Sequence, residues 1–252
     1  MKIIFPEITT NQAARSASSA FPDIEWLTAP NLEAATKMLA NGEADSIISG
    51  IDFPSRDVLL ACKAEIPLAS PFFSSCFICQ KDNSHLTIAD GGVNKQPSTE
   101  QLYTIVEDTA KTHEAYFKTQ PKIAMLSYST KDSGGKNPDL YKITTVINQI
   151  RKNHPDWQID GEMQLDAAIV PDIGKKKVPS SPVAGYANIL ITPDLNSGNI
   201  LYKSMEHLGR WTMAGPILQG FSIPLADLSR GSSVQDIILT IDVIKKLYER
   251  KS

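Results

Sequence analysis

Within its first fifty residues the chain switches repeatedly between the two-residue period of a strand and the 3.6-residue period of a helix. KIIFP from Lys2 reads as a strand, Asn11 to Ala20 as a helix of small residues, and IEWLTA from Ile24 as a second strand. Asn31 to Ala40 then reads as a helix and ADSIISG, Ala44 to Gly50, as a third strand. Strands separated by helices are the pattern of a parallel sheet, because parallel neighbours need a crossover connection. Asn31 offers an N-cap oxygen to LEAATKML, and Asn41-Gly42 closes that helix. The fold class expected is α/β.

The rhythm continues. A helix is expected over Arg56 to Lys63, after which Pro67 and Pro71 punctuate the approach to a second set of elements. FFSSCFIC and HLTIAD read as strands, and Ser98 caps a long helix to Phe117, with Gln101 completing a capping box. KIAMLSY is apolar enough to be covered on both faces and ends in the loop SYSTKDSGGKNPD. A helix over Leu140 to Lys152, a lysine-rich loop, and the strand ANILITPD with its loop PDLNSGN follow. The last helix, Val234 to Arg250, carries Val234, Ile237, Ile238, Ile241, Ile244 and Tyr248 at helical spacing. Two α/β lobes are expected, residues 1–64 with 219–252 and residues 65–218, with a ligand cleft between them.

Composition excludes several classes of function. The chain of 252 residues is 42% hydrophobic, enough for one large core or two modest ones. Its 25 basic and 28 acidic residues give a formal charge of −3, and the longest basic run is Lys175-Lys176-Lys177. That charge leaves no nucleic-acid footprint and points to small metabolites. MKIIFPE is too poor in apolar residues for a signal-peptide core and no run approaches membrane-spanning length, so a cytoplasmic protein with no membrane partner is expected. Cys62, Cys76 and Cys79 suit a reducing compartment; the CxxC within FFSSCFIC lacks a second pair for zinc and reads as part of a buried strand. His85, His113, His154 and His207 share no metal-ligand spacing, so no metal is expected. Gly134-Gly135-Lys136 lacks the upstream Gly and following hydroxyl of a P-loop, and no GxSxG elbow is present.

What remains is a set of polar loops at strand ends, where open α/β sheets bind ligands. Ser229-Arg230-Gly231 precedes Ser232 and Ser233, which can cap the last helix, so free amides and a guanidinium gather at one point and favour an anion. The plain alternative makes Asp236 a capping carboxylate bonded back to Ser233, and Arg230 a surface ion-pair partner. PDLNSGN offers two amides, a hydroxyl and a Gly that permits close approach of a ligand, and SYSTKDSGG offers hydroxyls, a Lys and glycines. Lys175, Lys176 and Lys177 form either a solvated turn or a phosphate contact.

The runs KIAMLSYSTK, GEMQLDAAIVP, KVPSSPVAGYANILITPDLNSGNILYK and GPILQGFSIPLADLSRGSSVQDI, supported upstream by SGI at Ser49 and TIADGGVN at Thr87, resemble the phosphate acetyltransferase and phosphate butyryltransferase family. The resemblance implies a two-lobed α/β/α sandwich similar to the isocitrate and isopropylmalate dehydrogenase-like fold, here with a shortened first lobe, and a homodimer. It implies a transferase that moves an acetyl group reversibly between coenzyme A and inorganic phosphate, giving acetyl phosphate. No cofactor is bound and no metal is used, with coenzyme A serving as a substrate. By resemblance Asp236 is the base for the thiol, Arg230 the clamp on the acyl phosphate, and Ser229 a hydrogen-bonding partner of the reacting group. Ser127, Ser129, Thr130, Lys131, Asn196, Ser197, Gly198, Asn199 and Lys177 become substrate and coenzyme A contacts.

The chain also departs from the family. Where one family arginine is expected it carries Leu60, with Arg56 one turn earlier on the same helix; where another is expected it carries His207, with Arg210 nearby; a third falls in the shortened stretch. Two alternatives follow from the same residues: a relative that only binds acyl-coenzyme A or acyl phosphate as a sensor, and a phosphate butyryltransferase.

Overall fold

The computed structural model describes residues 1–135 and 137–250, so Lys136 of the Gly134-Gly135-Lys136 run lies outside the described residues. In chain order the strands are β1 (Lys2–Ile4), β2 (Glu25–Leu27), β3 (Ser46–Ser49), β4 (Ser74–Lys81), β5 (Ser84–Ala89), β6 (Lys122–Leu126), β7 (Gln158–Met163), β8 (Ile189–Ile191), β9 (Thr212–Gln219) and β10 (Leu225–Asp227). The helices are α1 (Gln12–Ser18), α2 (Leu32–Ala40), α3 (Ser55–Glu65), α4 (Thr99–Phe117), α5 (Pro138–Asn153), α6 (Leu165–Ile169), α7 (Pro171–Lys177), α8 (Leu195–His207) and α9 (Val234–Glu249), with a 3-10 turn over Pro6–Thr9.

The chain divides into two units, Met1–Phe73 with Thr212–Ser252, and Ser74–Trp211. In the first, β2, β1, β3 and β10 run parallel in that order, and β9 follows antiparallel to β10. Asn31 caps α2 by accepting a backbone amide, as the sequence suggested, and Asn11, expected as the first residue of its helix, proves to be the N-cap of α1. The helix α9 buries Ile237, Ile241 and Ile244 completely, packing on β9 and α1. Each such side chain contributes about 1.5–3 kcal/mol by leaving water.

In the second unit the order is β4, β5, β8, β6, β7, parallel except for the β4–β5 hairpin. Phe77, Ile78, Ile88, Leu102, Ile105, Ile123 and Met125 form its core. Cys76 and Cys79 lie fully buried on β4, where burial pushes both thiols up and leaves them as packing groups. The expected capping box of Ser98 and Gln101 opens α4.

Two expected loops prove to be helices. The PDLNSGN segment holds the first turns of α8: Asp194 is its N-cap, accepting from Ser197 N at 2.8 Å. Asn196, Ser197, Gly198 and Asn199 are poor helix formers, so the helix depends on its cap and on contacts with the unit, among them the stacking of Tyr202 on Phe77, 3.9 Å between ring centroids. The lysine-rich stretch is α7, entered through Pro171 at the position where a missing N–H costs nothing.

Candidate functional site

In the first unit β10 runs beside β3 with Asp227 opposite Ser49, and Leu228 N donates to Ser49 O at 2.6 Å. The SGI and ADLSRG segments therefore leave the sheet side by side, at the carboxyl ends of parallel strands. Beyond β10 the chain turns through Ser229-Arg230-Gly231, with Gly231 N donating to Ser229 Oγ at 3.3 Å, and reaches Ser233, the N-cap of α9. A full capping box forms there: Asp236 N donates to Ser233 Oγ at 3.2 Å, and Ser233 N donates back to Asp236 Oδ2 at 2.8 Å. Ser233 Oγ lies 2.6 Å from the same oxygen, and Asp236 Oδ1 accepts from Met213 N at 2.8 Å.

Asp236 is thereby fixed and only 5% exposed. Arg230 is exposed and pairs with no carboxylate among the described residues, although it stands next to the positive end of α9. Of the plain alternative, then, the cap is present and the surface ion pair is not found. Arg56 is the second residue of α3 and is exposed, as is Leu60 one turn on.

In the second unit the loop after β6 is organised by a buried carboxylate that the sequence did not single out. Glu162, 3% exposed, accepts from Ser129 Oγ and from Asp132 N, both at 2.8 Å, and Ser129 Oγ accepts from Gly134 N at 2.9 Å. Thr130 Oγ1 accepts from Gln164 N at 3.0 Å. Lys131 turns its ammonium inward, 2.5 Å from Asp160 Oδ1 and 2.7 Å from Gly161 O. Burial pushes Asp160 up, but Lys131, Ser181 and the Gly161 amide outweigh it, and its carboxyl lies below the ordinary range. A charged ligand reaching Lys131 has to compete with that pair.

β8 neighbours β6, so α8 begins at the same edge as the Ser127–Lys131 loop, and a cavity of about 400 Å³ between them is lined by Ser127, Tyr128, Leu140, Lys142, Pro193 and Asp194. Gly198 packs inward: a Cβ there would lie 2.2 Å from the Asp90 carbonyl oxygen. Asn199 Nδ2 donates to Gly91 O at 3.1 Å, whereas Asn196 is exposed. Asp90, itself 3% exposed, gathers the amides of Gly92, Val93 and Asn94 and the hydroxyl of Ser75, so the TIADGGVN segment is tied to the start of α8.

Lys177 ends α7 engaged with Asp166 and Gln164, each at 2.8 Å. His207 and Arg210 lie at the other end of α8, roughly 17 Å along the axis from Asn196, so this helix does not bring them to the loop side. Asp90 had a signal in the sequence, a lone acid just after the apolar end of a strand, whereas Glu162 shares β7 with Asp160 and had none.

The sequence pattern of the phosphate acetyl/butaryl transferase family matches residues 11–244. A phosphate acetyltransferase of Treponema pallidum is 38% identical over 218 residues, covering 82% of this chain and 65% of its own. The chain thus spans just under two thirds of that relative's length. Among solved structures, a phosphotransacetylase from Streptococcus pyogenes superposes with a TM-score of 0.87 at 28% identity, covering 99% of this chain and 94% of its own. A putative 4-hydroxythreonine-4-phosphate dehydrogenase from Salmonella typhimurium, at 10% identity, a TM-score of 0.59 and coverage of 98% and 99%, shares the fold alone. The matched stretch contains the SGI, STK, DLNSGN and SRG segments, and the chain belongs to the phosphate acetyl/butaryl transferase family.

Proposed function

We propose that the protein is a phosphate acetyltransferase, moving an acetyl group between coenzyme A and inorganic phosphate by direct attack of the coenzyme A thiolate on acetyl phosphate. The observation that carries this reading is the end of β10: an unpaired guanidinium, Arg230, beside a capping box whose carboxylate, Asp236, is fixed by three donors. A carboxylate offers about four acceptor positions, so one remains for a thiol proton.

Arg230 binds the phosphoryl oxygens and offsets the charge that develops on the carbonyl oxygen as sulfur adds. Ser229 donates to the reacting group. As the C–S bond forms, the thiol proton passes to Asp236, the carbonyl re-forms, and phosphate leaves with the C–O bonding pair. A free thiol of pKa ~8.5 is a few per cent ionised at pH 7, so full ionisation contributes about thirtyfold, and orientation contributes more. Ser127, Ser129, Thr130, Lys131, Lys177, Asn196, Ser197, Gly198 and Asn199 are proposed to hold coenzyme A, with His207 in the place of one family arginine and Arg56 and Arg210 as substitutes for the arginines that Leu60 and His207 displace. A homodimer and a cytoplasmic location belong to the same reading. Among the described residues no helix is long and apolar enough to cross a membrane.

One observation favours a second reading, a sensor that binds acyl-coenzyme A or acyl phosphate without turnover: both oxygens of Asp236 are already bonded within the cap. Incubation with acetyl phosphate and coenzyme A, followed by thioester absorbance, separates the two. Turnover supports the transferase, and binding without turnover supports the sensor.

A further inference from the structure

The strand β10 ends on a carboxylate that acyl transfer leaves without a role. Asp227 is 2% exposed, and its Oδ1 has no hydrogen-bond partner. A second acid stands beside it: Glu7, in the 3-10 turn and also 2% exposed, accepts from Ser49 Oγ at 3.1 Å and from Gly50 N at 2.8 Å. Gly50 separates the two. Its φ of +112° and the 2.3 Å that would part a Cβ from Asp227 Oδ1 show that no side chain fits between them.

Two like charges in a dry site do not both ionise readily. Burial raises the Glu7 carboxyl, but Glu7 has several donors that pull it back, whereas Asp227 has one side-chain hydrogen bond, with Ser55 at the start of α3. Burial raises the Asp227 carboxyl most, the Ser55 bond pulls it down, Glu7 raises it again, and the result is about 7. Other ionisable groups bear on it little. The Cys62 thiol of α3 is itself pushed up to about 12 by burial, α9 brings only Asp236 on its buried face, and neither β3 nor β9 carries an ionisable side chain.

The placement gives this acid a consequence for the site. Ser55 directly precedes Arg56, and Asp227 precedes Ser229-Arg230 on a strand end that is itself bonded to Ser49. One buried side chain therefore joins the two backbone stretches that carry both arginines of this unit's candidate site. We propose that Asp227, as a neutral acid beside Glu7, is a positioning residue that fixes Arg56 and Arg230 relative to one another. The proposal rests on the phosphate-binding reading above.

The sign of the pH effect follows from the raised carboxyl. Stability is full below the ordinary Asp value near 3.8 and is lost as pH rises to about 7, by up to roughly a thousandfold in the folding equilibrium for a shift of about three pKa units. The test is thermal unfolding of wild type, D227N and S55A from pH 4.5 to 8, with calorimetric affinity for inorganic phosphate across the same range.

Relative to D227N, the wild-type midpoint should fall between pH 4.5 and 7 and then level off. S55A, which removes the bond that lowers the Asp227 carboxyl, should extend the fall to higher pH and bind phosphate about tenfold more weakly. Parallel wild-type and D227N unfolding curves would overturn the neutral-acid part, and S55A with wild-type phosphate affinity would overturn the positioning part. If D227N does not fold, E7Q serves: removing the Glu7 charge should shift the wild-type fall to lower pH, and an unmoved fall overturns the pairing. A wild type that binds no phosphate removes the phosphate reading, and with it the positioning role, while the unfolding arm still decides the Glu7–Asp227 pair.

Discussion

Asp236 carries two duties, and its variants separate them. As the third residue of α9 it closes a capping box, a contribution of about 1 kcal/mol that S233A also removes. As the base it takes a thiol proton, a contribution of about 10²–10⁴ in rate. D236N should therefore lower both the unfolding midpoint and kcat, whereas S233A should lower the midpoint and retain turnover. Equal losses of kcat in the two variants would reduce Asp236 to its cap. Arg230→Ala should weaken acetyl phosphate affinity about ten- to hundredfold, the value of a charged hydrogen bond of 1.5–3 kcal/mol, with little effect on stability because the side chain is exposed and unpaired. Unchanged affinity in a saturation curve would remove the clamp.

At the level of elements, the loop after β6 hangs on Glu162. Glu162→Ala removes the acceptor of Ser129 Oγ and Asp132 N and should cost about 1–3 kcal/mol for buried groups left unsatisfied. Hydrogen exchange across residues 129–134 should accelerate while that of β6 does not; an unchanged loop would show that Glu162 is dispensable.

Elements whose caps and period agree, α2 behind Asn31, α4 behind Ser98 and α9 behind Ser233, were legible in the sequence. The helix α8 was not. Its first turn is built from weak helix formers, and its position depends on Gly198 meeting the Asp90 carbonyl and on Tyr202 stacking against Phe77, contacts more than a hundred residues apart in sequence. The SRG and STK segments were legible as polar strand ends. That Lys131 and Lys177 turn to Asp160 and Asp166 was not, because ion pairing depends on which neighbour a strand brings close.

Across the whole molecule, buried groups tilt the pH dependence in opposite directions, Glu7 and Asp227 one way and Asp160 and His113 the other. The Asp160 carboxyl lies below its ordinary range, so the stability it contributes is present above the ordinary value of 3.8 and lost as pH falls. Asp227 does the reverse, losing stability as pH rises toward about 7. His113, whose imidazole burial lowers to about 4, gains stability across much of the range where Asp227 loses it. The Asp227 contribution should therefore appear as a pH-dependent difference between the wild-type and D227N midpoints, and a difference that does not change with pH would contradict the assignment of Asp227 as a neutral acid.

Family membership leaves the reaction itself to be measured, since the chain spans 65% of the length of its Treponema pallidum relative. The decisive measurement is the initial rate of thioester formation from acetyl phosphate and coenzyme A, for the wild type and for D236N. Acyl transfer at the end of β10 requires saturable turnover by the wild type and a loss of about a hundredfold or more in D236N. Absence of turnover at high protein concentration, or a D236N rate equal to that of the wild type, would contradict it.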